Sequence, residues 1–238
     1  MATTNEIVYD ILEDLNSQHI SDDIDVDERQ IIHKLNIQRS LWIRNELNKP
    51  GRTIDPATVQ SLGCVELELA DASDCPDLPL GCSVLRTKCE IPKTVELHNR
   101  NAITKVGSID KLDYFFSFVP YQQAIFSGNG KYNKDSIFAF LHGNRMYFKT
   151  NSLQAKLLRK INIMGIFEEP SVIEKFCNQN GSTCFSKDDE YPLSSWMLPF
   201  VKEQVLNSFL KTIQLPEDRI NDATSQPVTG RPNAPQQG

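Results

Sequence analysis

Residues 25–49 read DVDERQIIHKLNIQRSLWIRNELNK, and the architecture follows from this stretch. Asp25 stands where an N-cap belongs, and Glu28 three residues later completes the spacing of a capping box. Acids crowd the first turn, and Arg39, Arg44 and Lys49 lie toward the far end, the distribution that a helix dipole favours. Pro50-Gly51 then ends the helix. The pattern predicts about 24 helical residues, a rod of roughly 36 Å. Its apolar positions Ile31, Ile32, Leu35, Trp42, Ile43 and Leu47 form a broad stripe interrupted by Gln38 and Arg39. A stripe that breaks halfway suggests a helix that leaves one neighbour and meets another. Arg39, Trp42, Arg44 and Lys49 are therefore candidate interface residues. A second reading stays open beside it, an exposed helix end with Trp42 lying over its own domain.

Working outward, Thr3 and Glu6 repeat the capping-box spacing ahead of Ile7, Val8, Ile11, Leu12 and Leu15, which share one helical face. After Gly51 the texture changes to alternation broken by Pro and Gly. Cys64 to Leu69 alternates as a half-buried strand does, and Val84–Ile91 and Thr94–Leu97 read as strands parted by Pro92. Tyr114–Phe118 is a short aromatic strand ended by Pro120. Ile137–Leu141, His142-Gly143-Asn144 and Arg145–Lys149 make the clearest hairpin, with Gly-Asn suited to positive φ in a tight turn. Leu157–Phe167 reads as a strand with a bulge at Gly165, and Pro170–Cys177 as one or two helical turns. Helical spacing returns at Met197, Phe200, Val201, Val205, Phe209 and Ile213, with Pro199 tolerable in the first turn. A short turn starts at Pro216. Ala223–Gly238 has three prolines, three glutamines and one large apolar residue, Val228, a composition that builds no core.

The expected fold class is α+β: a helical bundle made by 1–50 and 187–222, a β-rich insertion over 51–186 of sandwich or barrel type, and a flexible docking tail over 223–238. A net charge of −6 argues against a general nucleic-acid coat. The N-terminus carries acids where a secretion signal carries bases, and no apolar run approaches the ~20 residues of a membrane span. Synthesis in a cytoplasm, no membrane contact and reduced thiols follow as expectations. Reduced thiols follow from the missing secretion signal, and the seven-residue gaps among the six cysteines (75–82, 82–89, 177–184) are unlike the spacing of zinc ligands.

No catalytic template fits. Asp23-x-Asp25-x-Asp27 opens like a calcium loop, but Glu28 stands in place of its glycine and Lys34 in place of its last acid. Gly128-Asn129-Gly130-Lys131 lacks the glycine spacing of a phosphate loop, and Tyr132 follows where a hydroxyl residue is needed. His19, His33, His98 and His142 form no ligand pair, and no nucleophile elbow occurs. Lys149, Lys156, Arg159 and Lys160 could touch DNA phosphates, but a solvated face explains them better because interleaved aromatics are missing. No cofactor, metal or catalytic residue is expected.

The ends of the chain carry a resemblance. Glu6-Ile7-Val8 through Leu15 and Asp25 to Leu47 look like the paired N-terminal helices of head-to-tail connector (adaptor or ring) proteins of short-tailed, crAss-like bacteriophages. Asp189-Glu190-Tyr191-Pro192 with the helix after it, and Asp218-Arg219-Ile220-Asn221-Asp222, are similar to the C-terminal end of related virion proteins. The resemblance implies a non-enzymatic virion protein of the tail or neck. It would form a homo-oligomeric ring, commonly of twelve copies, beneath the portal protein. The ring would extend the DNA channel without sequence-specific binding and join the next tail ring or hub protein. Val228 in the tail joins the candidate interface on this view. The competing readings are another head or tail accessory protein and an unrecognised hydrolase.

Overall fold

The first helix, α1 (Thr4–Gln18), begins as its sequence predicts. Thr3 Oγ1 accepts from the Glu6 N–H at 3.2 Å and Glu6 Oε2 accepts from the Thr3 N–H at 2.9 Å, a complete capping box. Ile7, Val8, Ile11 and Leu15 are buried on one face. The computed structural model describes residues 2–18, 26–71, 83–98, 102–108, 116–128, 130, 132–133, 136–151, 157–177 and 186–213. Asp23 and Asp25 of the calcium-like run, His19, the turn at Pro216 and the whole 223–238 tail with Val228 lie outside these residues.

The long helix, α2 (Glu28–Leu47), has 20 residues and begins two positions later than the spacing predicts. Its N-cap is Asp27, whose Oδ1 accepts from the Arg29 N–H at 3.4 Å. At the far end the Asn48 N–H bonds the Arg44 carbonyl, and Gly51 takes φ 78° to turn the chain away. The last helix, α5 (Leu198–Ile213), runs antiparallel to α2: Trp42 stacks on Phe200 near one end, and Lys34 Nζ lies 3.7 Å over the Phe209 ring near the other. Helices α1, α2 and α5 share a core of Ile7, Ile11, Leu15, Ile31, Leu35, Ile43, Val201 and Val205. Lys202 ties α5 to α1 through Asp10 at 2.5 Å and Asp14 at 2.8 Å.

The middle of the chain forms one seven-stranded sheet from β1 (Gln60–Asp71), β2 (Ser83–Thr87), β3 (Ile103–Ser108), β4 (Phe116–Phe118), β5 (Ile137–His142), β6 (Arg145–Lys149) and β7 (Lys160–Gly165). Their order is β3-β7-β1-β2-β6-β5-β4; β4–β5 is parallel and every other pair antiparallel. The 12-residue β1 pairs with β7 over its first half and β2 over its second. The sheet curls until its edge strands β3 and β4 approach each other, giving a half-barrel. The α+β expectation, terminal helices packed together against a barrel-like β region, therefore holds.

Inward-facing Leu62, Val65, Leu85, Ile137, Ala139, Met146, Phe148, Ile161 and Ile163 fill the half-barrel, with Ile173 of the helix α4 (Pro170–Cys177). The outer face of β2, β5 and β6 is covered too: Val84, Phe140 and Tyr147 pack with Ala124 of the short helix α3 (Tyr121–Ala124). Burial on both faces explains why β5 reads as a continuous apolar run rather than an alternation. The predicted hairpin is present, with His142 opposite Arg145 across a two-residue Gly143-Asn144 loop and Gly143 at φ 60°.

Three local expectations change. Thr94–Leu97 is no strand; it contributes one bridge, Thr94 to Phe167. The strand over 157–167 shortens to Lys160–Gly165, and the irregularities lie opposite it, between Ile103 and Lys105 in β3 and between Leu62 and Val65 in β1. Gly165 serves instead as a point of close approach: a Cβ there would sit 3.1 Å from the Ala102 carbonyl oxygen. The sequence reading had no counterpart for β3.

Candidate functional site

Residues 31, 35, 39, 43 and 47 of α2 are all buried, each four after the last, so the inward stripe is continuous and Arg39 is part of it. Arg39 is 0% exposed. Its Nε donates to the Pro192 carbonyl at 2.8 Å, Nη1 to the Phe167 carbonyl at 2.7 Å, and Nη2 to the Thr58 carbonyl at 3.4 Å. One guanidinium thus joins α2 to the exit of β7, to the 3-10 turn Pro56–Thr58 and to the segment leading into α5. Beside it the Tyr191 hydroxyl donates to Asn36 Oδ1 at 2.9 Å. Burial lowers the Arg39 pKa from its ordinary value and raises that of Tyr191. The expected interface role of Arg39 is therefore corrected: within the subunit its donors face backbone carbonyls, and it has no surface to offer. The break at Gln38-Arg39 was a break in hydropathy, not in packing.

The other candidates divide. Trp42 stacks face to face on Phe200, ring centroids 5.2 Å apart and planes 8° from parallel, and its Nε1–H is covered without an acceptor. Arg44 is exposed. Lys49 pairs with Glu46, which Arg52 also approaches at 3.6 Å. Lys149, from the basic segment, is committed elsewhere: its Nζ donates to the Ala124 carbonyl at 3.2 Å and the Ile125 carbonyl at 2.5 Å. Burial lowers its pKa.

Two exposed aromatics of the helical layer are residues that the sequence pattern either places on the helical stripe or passes over. Phe200, expected inside, is 47% exposed, and Trp196 is 48% exposed. Trp196 lies in the turn that leads into α5, four residues before Phe200, so the start of α5 carries an aromatic ledge of two exposed rings, Trp196 and Phe200, the latter backed by Trp42. Next to the ledge lies a cavity of about 350 Å³ lined by Trp196, Met197, Ile43, Leu47 and Ile54, with Asp55 on its wall. The Ser194 hydroxyl (2.6 Å) and the Ala57 N–H (3.0 Å) donate to Asp55 and hold its carboxyl below the usual carboxylate range. Glu46 has cations beside it; Asp55 forms no ion pair among the described residues. A second exposed pair, Ile37 and Leu41, lies on the outer face of α2. Spacing alone could have flagged Trp196, because it falls before the helical period of α5 begins.

The three described histidines stand apart: His33 is exposed on α2, His98 is exposed with its backbone N–H donating to Asn48 Oδ1 at 3.0 Å, and His142 stacks on Tyr121 at 4.9 Å. Among the described residues no group of three His, Cys, Asp or Glu side chains could hold a metal, and no helix is long and apolar enough to cross a membrane. What the surface offers is exposed aromatic area beside a pocket.

Comparison with known proteins gives the class. The family described as phage tail ring protein 2 matches residues 6–229, nearly the whole chain, and the chain belongs to that family, a family of structural tail components. It is similar to "Ring protein 2" of Bacteroides phage crAss001, 25% identical over 226 residues that span 93% of this chain and 96% of that protein. The match runs through the half-barrel as well as the helical ends, where the resemblance in the sequence was confined.

Proposed function

We propose that the chain is one subunit of a closed ring lying between portal and tail, that about twelve copies form it, and that it extends the DNA channel and receives the next tail component. Membership of the tail ring family carries this reading. Its physical support is the aromatic ledge of Trp196 and Phe200, both exposed on the isolated subunit. Ring subunits meet head to tail through two different patches per copy, and each patch must be exposed on the isolated subunit. The helical layer, 1–50 with 187–222, is the docking side on this proposal. The half-barrel over 51–186 is the spacer, and Arg44, Lys49 and Val228 with the 223–238 segment remain contacts for neighbours. The acidic chain would line a DNA channel through repulsion rather than sequence reading.

The test is a mass measurement on the purified full-length chain, alone and mixed with its portal protein. Ring-sized assemblies, or stoichiometric joining to portal, are the expected result. A chain that stays monomeric and never joins portal would sink the proposal and leave an accessory protein of another position.

A further inference from the structure

We infer that the aromatic ledge and its cavity receive the C-terminal segment, residues 223–238, of the adjacent copy in the ring. The inference rests on the ring reading above and names the occupant of one of its two patches. Three observations carry it. The first is chemical fit. Residues 223–238 read ATSQPVTGRPNAPQQG, with Pro227, Pro232 and Pro235 around Val228 and Arg231. Proline-rich segments lose little entropy on docking and pack their rings between exposed aromatic side chains. Trp196 and Phe200 offer such rings, each about half exposed.

Charge is the second. Arg231 is the only charged side chain in that segment. The adjoining cavity presents Asp55, a carboxylate held by two hydrogen bonds and without an ion pair among the described residues. A guanidinium there would gain a charge-assisted bond to an acceptor already fixed in place.

Geometry is the third, and it favours a neighbour over the chain's own tail. The ledge lies at the start of α5 and the C-terminal segment leaves from its other end, 16 residues or roughly 24 Å away. Donor and acceptor at opposite ends of one helix are what a head-to-tail contact requires, since each copy then gives once and receives once. Residues 214–222 can span up to ~30 Å when extended, so the segment can act well beyond the end of its own helix. Docking on its own ledge would oblige the segment to retrace the whole of α5.

The experiment places a diazirine side chain at position 228 of full-length, isotopically heavy protein. Light protein without the photoprobe is mixed in at concentrations where mass measurement shows assemblies, and the mixture is irradiated. Expected are heavy-to-light cross-links into peptides containing Trp42, Trp196 or Phe200. Trp196→Ala in the light copy, or Arg231→Glu in the heavy one, should each lower their yield at least fivefold. Trp196 is about half exposed, so folding should persist, and a melting curve of each variant checks this. Cross-links confined within one copy, cross-links to other surfaces, or none despite assembly would each overturn the tail placement while leaving the ring intact. Absence of any assembly, alone or with portal, would instead remove the ring reading itself.

Discussion

Arg39→Met should destabilise the isolated subunit by about 2–4 kcal/mol, and the size follows from the three carbonyls it serves. Methionine is close in length and apolar, so the volume is largely kept and the loss is mainly electrostatic. Two bonds are short, 2.7 and 2.8 Å, and the third at 3.4 Å is weak. A hydrogen bond to a charged donor contributes roughly 1.5–3 kcal/mol, and a buried carbonyl left unpaired costs about 1–3 kcal/mol. Against this stands the desolvation of a guanidinium with no carboxylate among these three bonds, several kcal/mol that methionine avoids. The difference remains on the side of loss because methionine cannot satisfy the Phe167 and Pro192 carbonyls. Arg39→Lys should lose nearly as much, since a single ammonium cannot reproduce the fork that spans three elements. Urea unfolding followed by the fluorescence of Trp42 and Trp196 gives the measurement, with a shifted midpoint and an unchanged slope. Exposed Arg44→Met is the control and should stay within about 0.5 kcal/mol. If Arg39→Met unfolds within that same margin of the parent, the carbonyl hub does not hold the two layers together.

The other expectations are smaller. Gly165→Ala should cost about 1–3 kcal/mol in the same urea assay, because its Cβ would press on backbone at Ala102 and Ile103, which cannot swing aside as a side chain does; a neutral result would mean that β3 shifts freely. Asp55→Asn tests a pH effect: the folded carboxyl is held below its unfolded value near ~3.9, so its contribution is present above that pH and lost as pH falls through the folded value. Parent and variant should therefore differ most near neutrality and converge in acid, and a gap independent of pH would contradict the hydrogen-bond origin. Lys202→Met removes both α1 contacts; burial lowers the Lys202 pKa, but bonds to Asp10 and Asp14 outweigh it and the net shift is upward. With both carboxylates well exposed, the variant should lose no more than ~1 kcal/mol, and a larger loss would show a clamp stronger than a surface pair.

Local rules recovered what is local. The Thr3–Glu6 capping box, the apolar face of α1 and the Gly143-Asn144 hairpin depend on residues close in sequence, and each is present. The N-cap of α2 slipped by two because Asp25 and Asp27 both satisfy the composition rule and only backbone geometry chooses between them. The strand β3 was illegible because Ile103, Thr104, Lys105 and Val106 neither alternate cleanly nor follow the helical period, and its pairing with β7 joins residues some sixty positions apart. The curl of the sheet was legible only as a class, since closure comes from long-range register.

Arg39 shows the deeper limit. Hydropathy treats arginine as an outward residue, so a buried one appears as a gap in the stripe, and the gap invites a partner that is not needed. Position was the better guide: Arg39 is four after Leu35 and four before Ile43, squarely on the inward face. Its charge is tolerable there because three chain segments end nearby with carbonyls directed at it. That arrangement constrains assembly as well. Separating the helical layer from the half-barrel would break the bonds to the Phe167 and Thr58 carbonyls and expose the guanidinium, so the subunit should enter a ring with its two layers fixed. Adaptation to a neighbour then falls to surface groups such as Trp196 and Phe200, whose side chains can reorient without opening the core.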